Sequence, residues 1–289
     1  MHRKARESAA DVVMLDLEDS VPLNAKVAAR RAAIEAVNNL DWGDKTITVR
    51  MNGFDTPFGF RDLLEVALET GEALSAIVIP KVDHPADIHC AARLLDGIEM
   101  EHGKGSPMGI EATIESAQGM QNICDIAVAS PRLISLIFGI ADYSASIGAR
   151  LTSLSGHGEA EEQIYPGHRW NFALSRLVMA AKANDLLAVD APYGNFKDIP
   201  GLQRAASMSC ALGCDGKWVI HPGQIDTINR VFSPSAEEIA RARKILDAYQ
   251  VAQQQGIGAA AVDGRMIDNA TVRLAQRLWQ QAVKMGIAC

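Results

Sequence analysis

The sequence lacks the features that mark several common protein classes. Its 289 residues include five cysteines and no Cys-x-x-Cys pair, which argues against a disulfide scaffold. No apolar run reaches the roughly 18 residues of a membrane span. The basic N-terminal stretch is not followed by the apolar segment of a secretory signal. We therefore expect a cytoplasmic protein with reduced thiols.

Positive charge and cofactor-binding motifs are also scarce. The 28 Lys and Arg residues are outnumbered by 35 Asp and Glu residues, and the net charge of −7 argues against a general nucleic-acid binder. No GxGxxG motif follows a predicted strand, and no HxxxH or HExxH motif supports a zinc site. What remains is a chain that is 48% hydrophobic, enough for one large core or two smaller ones.

Short apolar runs alternate with amphipathic stretches over the first 232 residues. This alternation predicts parallel βαβ units, and the nearly continuous apolar character predicts strands that are covered on both faces. It suits a TIM-type (β/α)₈ barrel or a doubly wound sheet. The predicted strands are Asp11–Leu17, Lys45–Met51, Ala76–Lys81, Gly109–Glu115, Leu133–Gly139, Leu187–Asp190 and Lys217–His221.

Polar side chains at the C-terminal ends of these strands favour the barrel. In a barrel the strand ends converge on one face, where enzymes of this fold carry their chemistry. Seven strands are one fewer than a closed barrel needs, and a strand normally precedes the helix predicted at the N-terminus. We therefore expect a barrel that lacks its first strand. The polar groups, in order, are Asp16 with Glu18 and Asp19, Arg50 with Asn52, Lys81, Glu115, Asp142, Asp190 and His221.

The pattern changes after Phe232. Two helical stretches flank a Gly/Ala-rich segment, GIGAAAVDGRMID, which we interpret as a loop. We therefore divide the chain into a barrel domain, residues 1–232, and a helix–loop–helix segment, residues 233–289. A segment of this size buries little surface by itself, so we expect it to act as a lid or an oligomerisation element.

Two carboxylates at successive strand ends, Glu115 and Asp142, predict a site for a hard divalent cation. Mg²⁺ typically takes one or two protein carboxylates and leaves its other positions to water and substrate. The alternative is a set of ion pairs with Arg50, Lys81 and Arg150 that merely lines the mouth of the barrel. The spacing of the residues alone leaves both interpretations open.

Three other strand-end residues also allow two interpretations. Arg50 can bind a substrate carboxylate or polarise a carbonyl, or it can pair with the acids of the first strand. Lys81 can form a Schiff base, although neighbouring acids would keep its amine protonated. His221 is either a base or ligand, or a hydrogen-bonded structural residue.

Seven motifs in a fixed order carry a resemblance to a known family. They are VVMLDLEDSV, VRMNG, IPKV, IEATIESAQGM, FGIADYSAS, GKWVIHPGQI and VDGRMID. Over essentially the whole chain they resemble the citrate lyase β-subunit-like (CitE-like) proteins of the HpcH/HpaI aldolase superfamily. The likeness is greatest to the L-malyl-CoA/β-methylmalyl-CoA lyases of that family.

The resemblance implies a TIM barrel with a C-terminal helical extension. It also implies Mg²⁺-dependent cleavage of L-malyl-CoA to acetyl-CoA and glyoxylate, or the reverse Claisen-type condensation, with Mn²⁺ as a possible substitute. β-Methylmalyl-CoA would give propionyl-CoA and glyoxylate. The implied partners are an acyl-CoA, a small 2-oxo acid and further copies of the chain in a homotrimer or homohexamer.

The resemblance also assigns roles to individual residues. Glu115 and Asp142 match the metal ligands, and Arg50 matches the residue that orients the reacting carbonyl and thioester oxygens. Asp263 matches an acid/base that the C-terminal segment brings to the site of a neighbouring subunit. The supporting positions are Asp16, Glu18 and Asp19, which hold metal-bound water or Arg50, and Lys26 and Arg30, which contact the CoA phosphates.

Two alternatives stay open. The same site would serve a malyl-CoA thioesterase or a citramalyl-CoA lyase. An alternative of another class is a shortened, non-catalytic homologue, because relatives begin with a further strand and a turn of the type FVPG that this sequence lacks.

Overall fold

The computed structural model describes residues 2–103, 107–151, 153–154, 158–159, 168–256 and 258–288. The chain forms two compact units, Met1–Ile228 and Asn229–Cys289. Among the helices of these described ranges, none combines the length and the apolar character that crossing a lipid bilayer would take.

The first unit is built on a seven-stranded parallel sheet whose strands lie in sequence order. All seven overlap the predicted apolar runs. The sheet curls into an open, TIM-like barrel, and within the described residues β1 and β7 each pair with one other strand. This confirms the predicted α/β barrel that is one strand short. The strands are β1 Val12–Asp16, β2 Thr46–Arg50, β3 Ala76–Ile79, β4 Gly109–Ile114, β5 Leu133–Phe138, β6 Leu187–Asp190 and β7 Gly216–Lys217.

Helices connect successive strands, as the right-handed crossovers of parallel sheets require. The strands are buried between these helices and the barrel interior; every residue of β3 is buried. Three short 3₁₀ turns, Leu23–Ala25, Gly71–Ala73 and Pro222–Gln224, complete the connections. The helices are α1 His2–Arg6, α2 Lys26–Asn39, α3 Gly59–Glu69, α4 Pro85–His102, α5 Ala117–Ala127, α6 Ile140–Ser146, α7 Asn171–Lys182, α8 Ile199–Leu212 and α9 Ile225–Phe232.

The second unit contains two helices, α10 Ala236–Gln254 and α11 Asn269–Lys284, and a β-hairpin. The hairpin strands, β8 Ala260–Val262 and β9 Arg265–Ile267, pair antiparallel within the segment that we expected to be a loop. Asp263 and Gly264 connect them with φ angles of 49° and 72°. A two-residue turn with positive φ at both positions is typical of an Asp-Gly hairpin. The dipeptide was the signal for this hairpin.

A buried ion pair joins the last two strands of the barrel. Lys217 Nζ lies 2.5 Å from Asp190 Oδ2, and the two side chains are 5% and 8% exposed. The two residues are also register partners in the β6–β7 ladder. Because β7 has only two residues, this side-chain contact supplements a short backbone ladder.

We expect Lys217→Met to lower the free energy of unfolding by about 3 kcal/mol, because it leaves the Asp190 carboxylate buried and unpaired. Lys217→Met with Asp190→Leu should recover most of that loss. The control is Lys182→Met, which breaks the half-exposed pair with Asp215 and should cost less than about 1 kcal/mol. Urea unfolding followed by circular dichroism measures all three. Equal losses in the two single variants would contradict the prediction.

Candidate active site

The guanidinium of Arg50 lies at the centre of the polar residues at the strand ends. Asp16 and Arg50 are register partners at the ends of β1 and β2. Arg50 donates from Nε to Asp16 Oδ1 and from Nη2 to Asp16 Oδ2, both at 2.7 Å. Its Nη1 lies 2.9 Å from Glu18 Oε2. Two of the five N–H donors of the guanidinium are therefore engaged by Asp16, and Glu18 adds an ion pair.

Burial and charge set the protonation of this group. Although burial opposes it, the hydrogen bonds and charge of Arg50 lower the pKa of Asp16 to about 2. Burial raises the pKa of Glu18 in spite of the opposing charges of Arg50 and Lys81. Arg50 is itself kept protonated, since its carboxylate neighbours raise its pKa against the effect of burial. Around neutral pH the Asp16–Arg50 pair is therefore fully ionised.

Glu115 follows β4 and is held by its neighbours in one orientation. Its Oε1 accepts hydrogen bonds from the Lys81 backbone N–H at 2.7 Å and from Thr113 Oγ1 at 2.8 Å. Lys81 has a φ of 53°, a left-handed conformation that a lysine rarely adopts. A Cβ atom at Gly139 would lie 2.3 Å from Glu115 Oε2, so a residue without a side chain is required there.

Glu115 is a poor place for an uncompensated charge. Burial, followed by the charge of Glu18, raises the pKa of Glu115 to about 7, and Asp142 adds to the shift. Glu115 and Asp142 line the same cleft. Two oxygen donors in a site with surplus negative charge fit a hard cation such as Mg²⁺. Within the described ranges, no three His, Cys, Asp or Glu side chains converge into a complete protein-only cage.

Lys81 forms ion pairs instead of presenting a free amine. Its Nζ lies 3.0 Å from Glu18 Oε1 and 3.8 Å from Asp19 Oδ1. Burial would lower the pKa of Lys81, but the bond to Glu18 and the surrounding acids raise it. An amine that stays protonated is not a nucleophile, so the geometry opposes the Schiff-base alternative.

The structure brings Asp16, Glu18 and Asp19 to the cations of the site, but it places Lys26 and Arg30 elsewhere. Lys26 is 6% exposed, and its Nζ donates to the backbone carbonyls of residues 17 and 18. Arg30 is 2% exposed and pairs with Asp62 and Glu65. The predicted contact of these two cations with CoA phosphates is therefore opposed by the structure, because both heads are buried against protein acceptors.

Two residues near the end of β7 show different roles. The Trp218 ring centroid lies 5.7 Å from the Arg50 guanidinium carbon, a cation–π contact that the sequence analysis missed. His221 stacks on Phe196 with ring centroids 4.6 Å apart, and its Nδ1 accepts a hydrogen bond from the Gly223 N–H. This bond engages one ring nitrogen of His221 in a turn, which favours the structural interpretation.

A cleft of about 490 Å³ opens beside Lys81, Glu115 and Asp142. It connects the two carboxylates of the predicted metal site with the turn that follows β2 and with the residues that follow β3. Its lining includes Phe54, Asp55, Lys81, Glu115, Ser116 and Asp142.

Asp263, the remaining predicted site residue, belongs to the second unit. It occupies the first position of the hairpin turn, and its side chain is 70% exposed. Its Oδ1 lies 2.5 Å from Lys244 Nζ. A carboxylate at the exposed tip of a tight hairpin is accessible to another molecule.

Comparison with known proteins shows the family to which the chain belongs. A sequence profile of the HpcH/HpaI aldolase/citrate lyase family matches residues 1–222. The L-malyl-CoA/β-methylmalyl-CoA lyase of Cereibacter sphaeroides is 41% identical over 287 residues, covering 98% of this chain and 90% of the relative. The malyl-CoA/β-methylmalyl-CoA/citramalyl-CoA lyase of Chloroflexus aurantiacus is 37% identical, covering 94% and 78%.

A solved structure extends the comparison to the fold. The CitE protein of Mycobacterium tuberculosis, crystallised with magnesium, acetoacetate and coenzyme A, superposes with a TM-score of 0.76. It is 30% identical, and the match covers 97% of this chain and 92% of that chain.

The pKa of Glu115, about 7, leads to a prediction on cation binding. Below this pH the carboxyl is protonated, so a cation must displace a proton, and Mg²⁺ should bind about 10-fold more weakly at pH 6 than at pH 8. Isothermal titration calorimetry measures the two dissociation constants. Glu115→Gln should bind Mg²⁺ weakly at both pH values. Equal affinity of the unaltered protein at the two pH values would contradict the prediction.

Proposed function

Because the chain belongs to the HpcH/HpaI aldolase/citrate lyase family and is a carbon–carbon lyase, we propose that its substrates are L-malyl-CoA and β-methylmalyl-CoA. Cleavage would release glyoxylate with acetyl-CoA or propionyl-CoA. The observation that carries the proposal is the shared position of Arg50 and the Glu115–Asp142 pair at one end of the barrel. The identity of 41% to a lyase of that name supports it.

The chain's own residues suit the charges of this reaction. As the carbon–carbon bond breaks, the hydroxyl of the malyl group loses its proton to a base and its oxygen becomes the carbonyl oxygen of glyoxylate. The electron pair of the broken bond passes to the thioester fragment as an enolate. Arg50 would stabilise the negative charge on the enolate oxygen, because Asp16 and Glu18 hold the guanidinium in place before the reaction. Glu115 and Asp142 would hold Mg²⁺, which supplies a Lewis acid for the oxygens of the 2-oxo acid. The enolate carbon then takes a proton to give the acyl-CoA.

We propose that Asp263 moves this proton. Its exposed position at the hairpin tip and the family resemblance support the idea that it acts in the site of a neighbouring subunit. The assembly would then be a trimer or hexamer in which no subunit is complete alone.

The described cysteines are free thiols, in agreement with our proposal of a cytoplasmic enzyme.

A second candidate is a citramalyl-CoA lyase, favoured by the 37% identity to a relative whose name includes that substrate. It would release pyruvate instead of glyoxylate. A thioesterase acting on malyl-CoA would release free malate and CoA without either oxo acid. The products therefore separate the candidates.

We expect the purified chain to release glyoxylate from L-malyl-CoA with Mg²⁺ and not with EDTA. Glu115→Ala and Asp142→Ala should each abolish metal-dependent release and keep the fold, because each removes one of the two proposed protein ligands. Asp125→Ala, an exposed carboxylate on α5, is the matched control and should retain full activity. Coupled measurement of glyoxylate, pyruvate and free CoA identifies the reaction. Full activity in Glu115→Ala would remove the metal assignment.

Asp263→Asn should assemble and bind the CoA ester normally but turn over about 100-fold more slowly, because an amide cannot transfer the proton. Asp247→Asn, an exposed acid on α10, is the control. Steady-state kinetics give kcat and KM, and sedimentation velocity gives the assembly state. An unchanged kcat would rule out a proton-transfer role for Asp263.

A further inference from the structure

A fully buried carboxylate, Asp62 on α3, lies behind the turn that follows β2. Its side chain is 0% exposed. Its Oδ1 accepts a hydrogen bond from Arg30 Nε at 2.7 Å. Its Oδ2 accepts from the backbone N–H of Asn52 at 2.9 Å and from Asn52 Nδ2 at 2.5 Å. Asp62 thus connects Arg30 of α2 to the backbone of Asn52, which follows β2.

The cation of this network is equally enclosed. Arg30, on α2, is 2% exposed, and its Nη1 lies 2.5 Å from Glu65 Oε2. The Arg30 and Asp62 side chains are both buried and paired with each other, so neither presents its charge to a substrate. A buried ion pair contributes little net stability, because desolvation offsets most of the attraction. The pair instead fixes a position, because the charged Asp62 acceptor holds the Asn52 N–H in place.

The backbone that Asp62 holds is short and tightly packed. Asn52 lies two residues after Arg50, at the exit from β2. A Cβ atom at Gly59, the first residue of α3, would lie 2.3 Å from the Gly53 carbonyl oxygen. Thr56 Oγ1 donates to the same oxygen at 2.7 Å. Residues 52–59, which we call the β2–α3 turn, therefore have little freedom to move once their first amide is fixed.

The β2–α3 turn forms one wall of the cleft. Phe54 and Asp55 of this turn line the cleft together with Glu115, which follows β4. Phe54 contributes an aromatic ring to the lining, so its position bears on whether a substrate with one extra methyl group fits. Anchoring of the turn thus affects the positions of both Arg50 and Phe54.

We propose that Asp62 is a positioning residue that, with Arg30, sets both the placement of Arg50 and the width of the cleft at Phe54. Its effect reaches the substrate through the backbone of the β2–α3 turn. This gives Arg30 a role in place of the CoA contact that the structure opposes. The proposal rests on the proposed lyase function for its kinetic consequences but not for the anchoring itself.

Asp62→Asn tests the proposal, because the new amide group presents N–H donors toward donors of Arg30 or Asn52. We expect kcat to fall about 10-fold for both esters as Arg50 shifts. The ratio of kcat/KM for β-methylmalyl-CoA to that for L-malyl-CoA should rise about 10-fold as the Phe54 wall loosens. A role in stability alone would lower the folded fraction and leave this ratio unchanged. An unchanged ratio would overturn the proposal.

Two further variants sharpen the test. Glu65→Gln removes the charge of the other partner of Arg30 without touching Asn52, and it should keep the wild-type ratio. Arg30→Met with Asp62→Leu removes both buried charges, so its Tm should exceed that of Asp62→Asn, yet the ratio should remain altered because Asn52 has lost its acceptor. Recovery of the wild-type ratio in this double variant would also overturn the proposal.

Hydrogen exchange provides a measurement that does not depend on catalysis. The amides of the β2–α3 turn, residues 52–56, 58 and 59, should exchange about 10-fold faster or more in Asp62→Asn than in Glu65→Gln, because the Asn52 N–H has lost its charged acceptor. Equal protection in the two variants would overturn the anchoring. If the unaltered chain cleaves neither ester but the exchange rates differ as expected, the proposed substrates fail and the anchoring stands.

Discussion

The ionic contacts of Arg50 are the interaction on which the candidate site depends. The parallel register of β1 and β2 places Asp16 opposite Arg50, and the bidentate contact that follows fixes the plane of the guanidinium. Glu18 then engages Nη1 through one carboxylate oxygen and Lys81 through the other. One cation on one strand end thereby ties together residues from the ends of β1, β2 and β3. Such preorganised donors stabilise developing charge without reorganising during the reaction.

The site also contains a strained backbone conformation. Lys81 adopts a left-handed φ, which costs on the order of 1 kcal/mol or more for a residue that is not glycine. In that conformation its N–H reaches Glu115 Oε1, while its ammonium reaches Glu18. Gly139 meets a second steric demand, because only a residue without Cβ leaves room for the Glu115 carboxylate. The strained backbone of Lys81 and the missing side chain of Gly139 therefore both help to orient the Glu115 carboxylate.

The sequence predicted the strands and the residues at their ends, because parallel strands read as apolar runs that stop at a polar group. Contacts between side chains that are distant in sequence could not be predicted. Lys26 and Arg30 both lie in α2, and nothing in the neighbouring sequence reveals that their charged groups turn inward to acceptors such as Asp62, 32 residues away from Arg30. The β8–β9 hairpin was missed for another reason: each strand has only three residues, and the two alanines of β8 have weak β propensity, although the Asp-Gly turn was visible.

The charges of the site decide what it can bind. Asp16, Glu18, Glu115 and Asp142 are four carboxylates that are buried or half-buried, and two cations, Arg50 and Lys81, contact the first two of them. Negative charge is therefore in surplus. Burial is the main cause that raises the pKa of Glu115 to about 7, and the charges of Glu18 and Asp142 add to the shift. A divalent cation would offset this surplus and let Glu115 ionise. An acidic substrate alone would increase it, so the anion is expected to bind with the cation or after it.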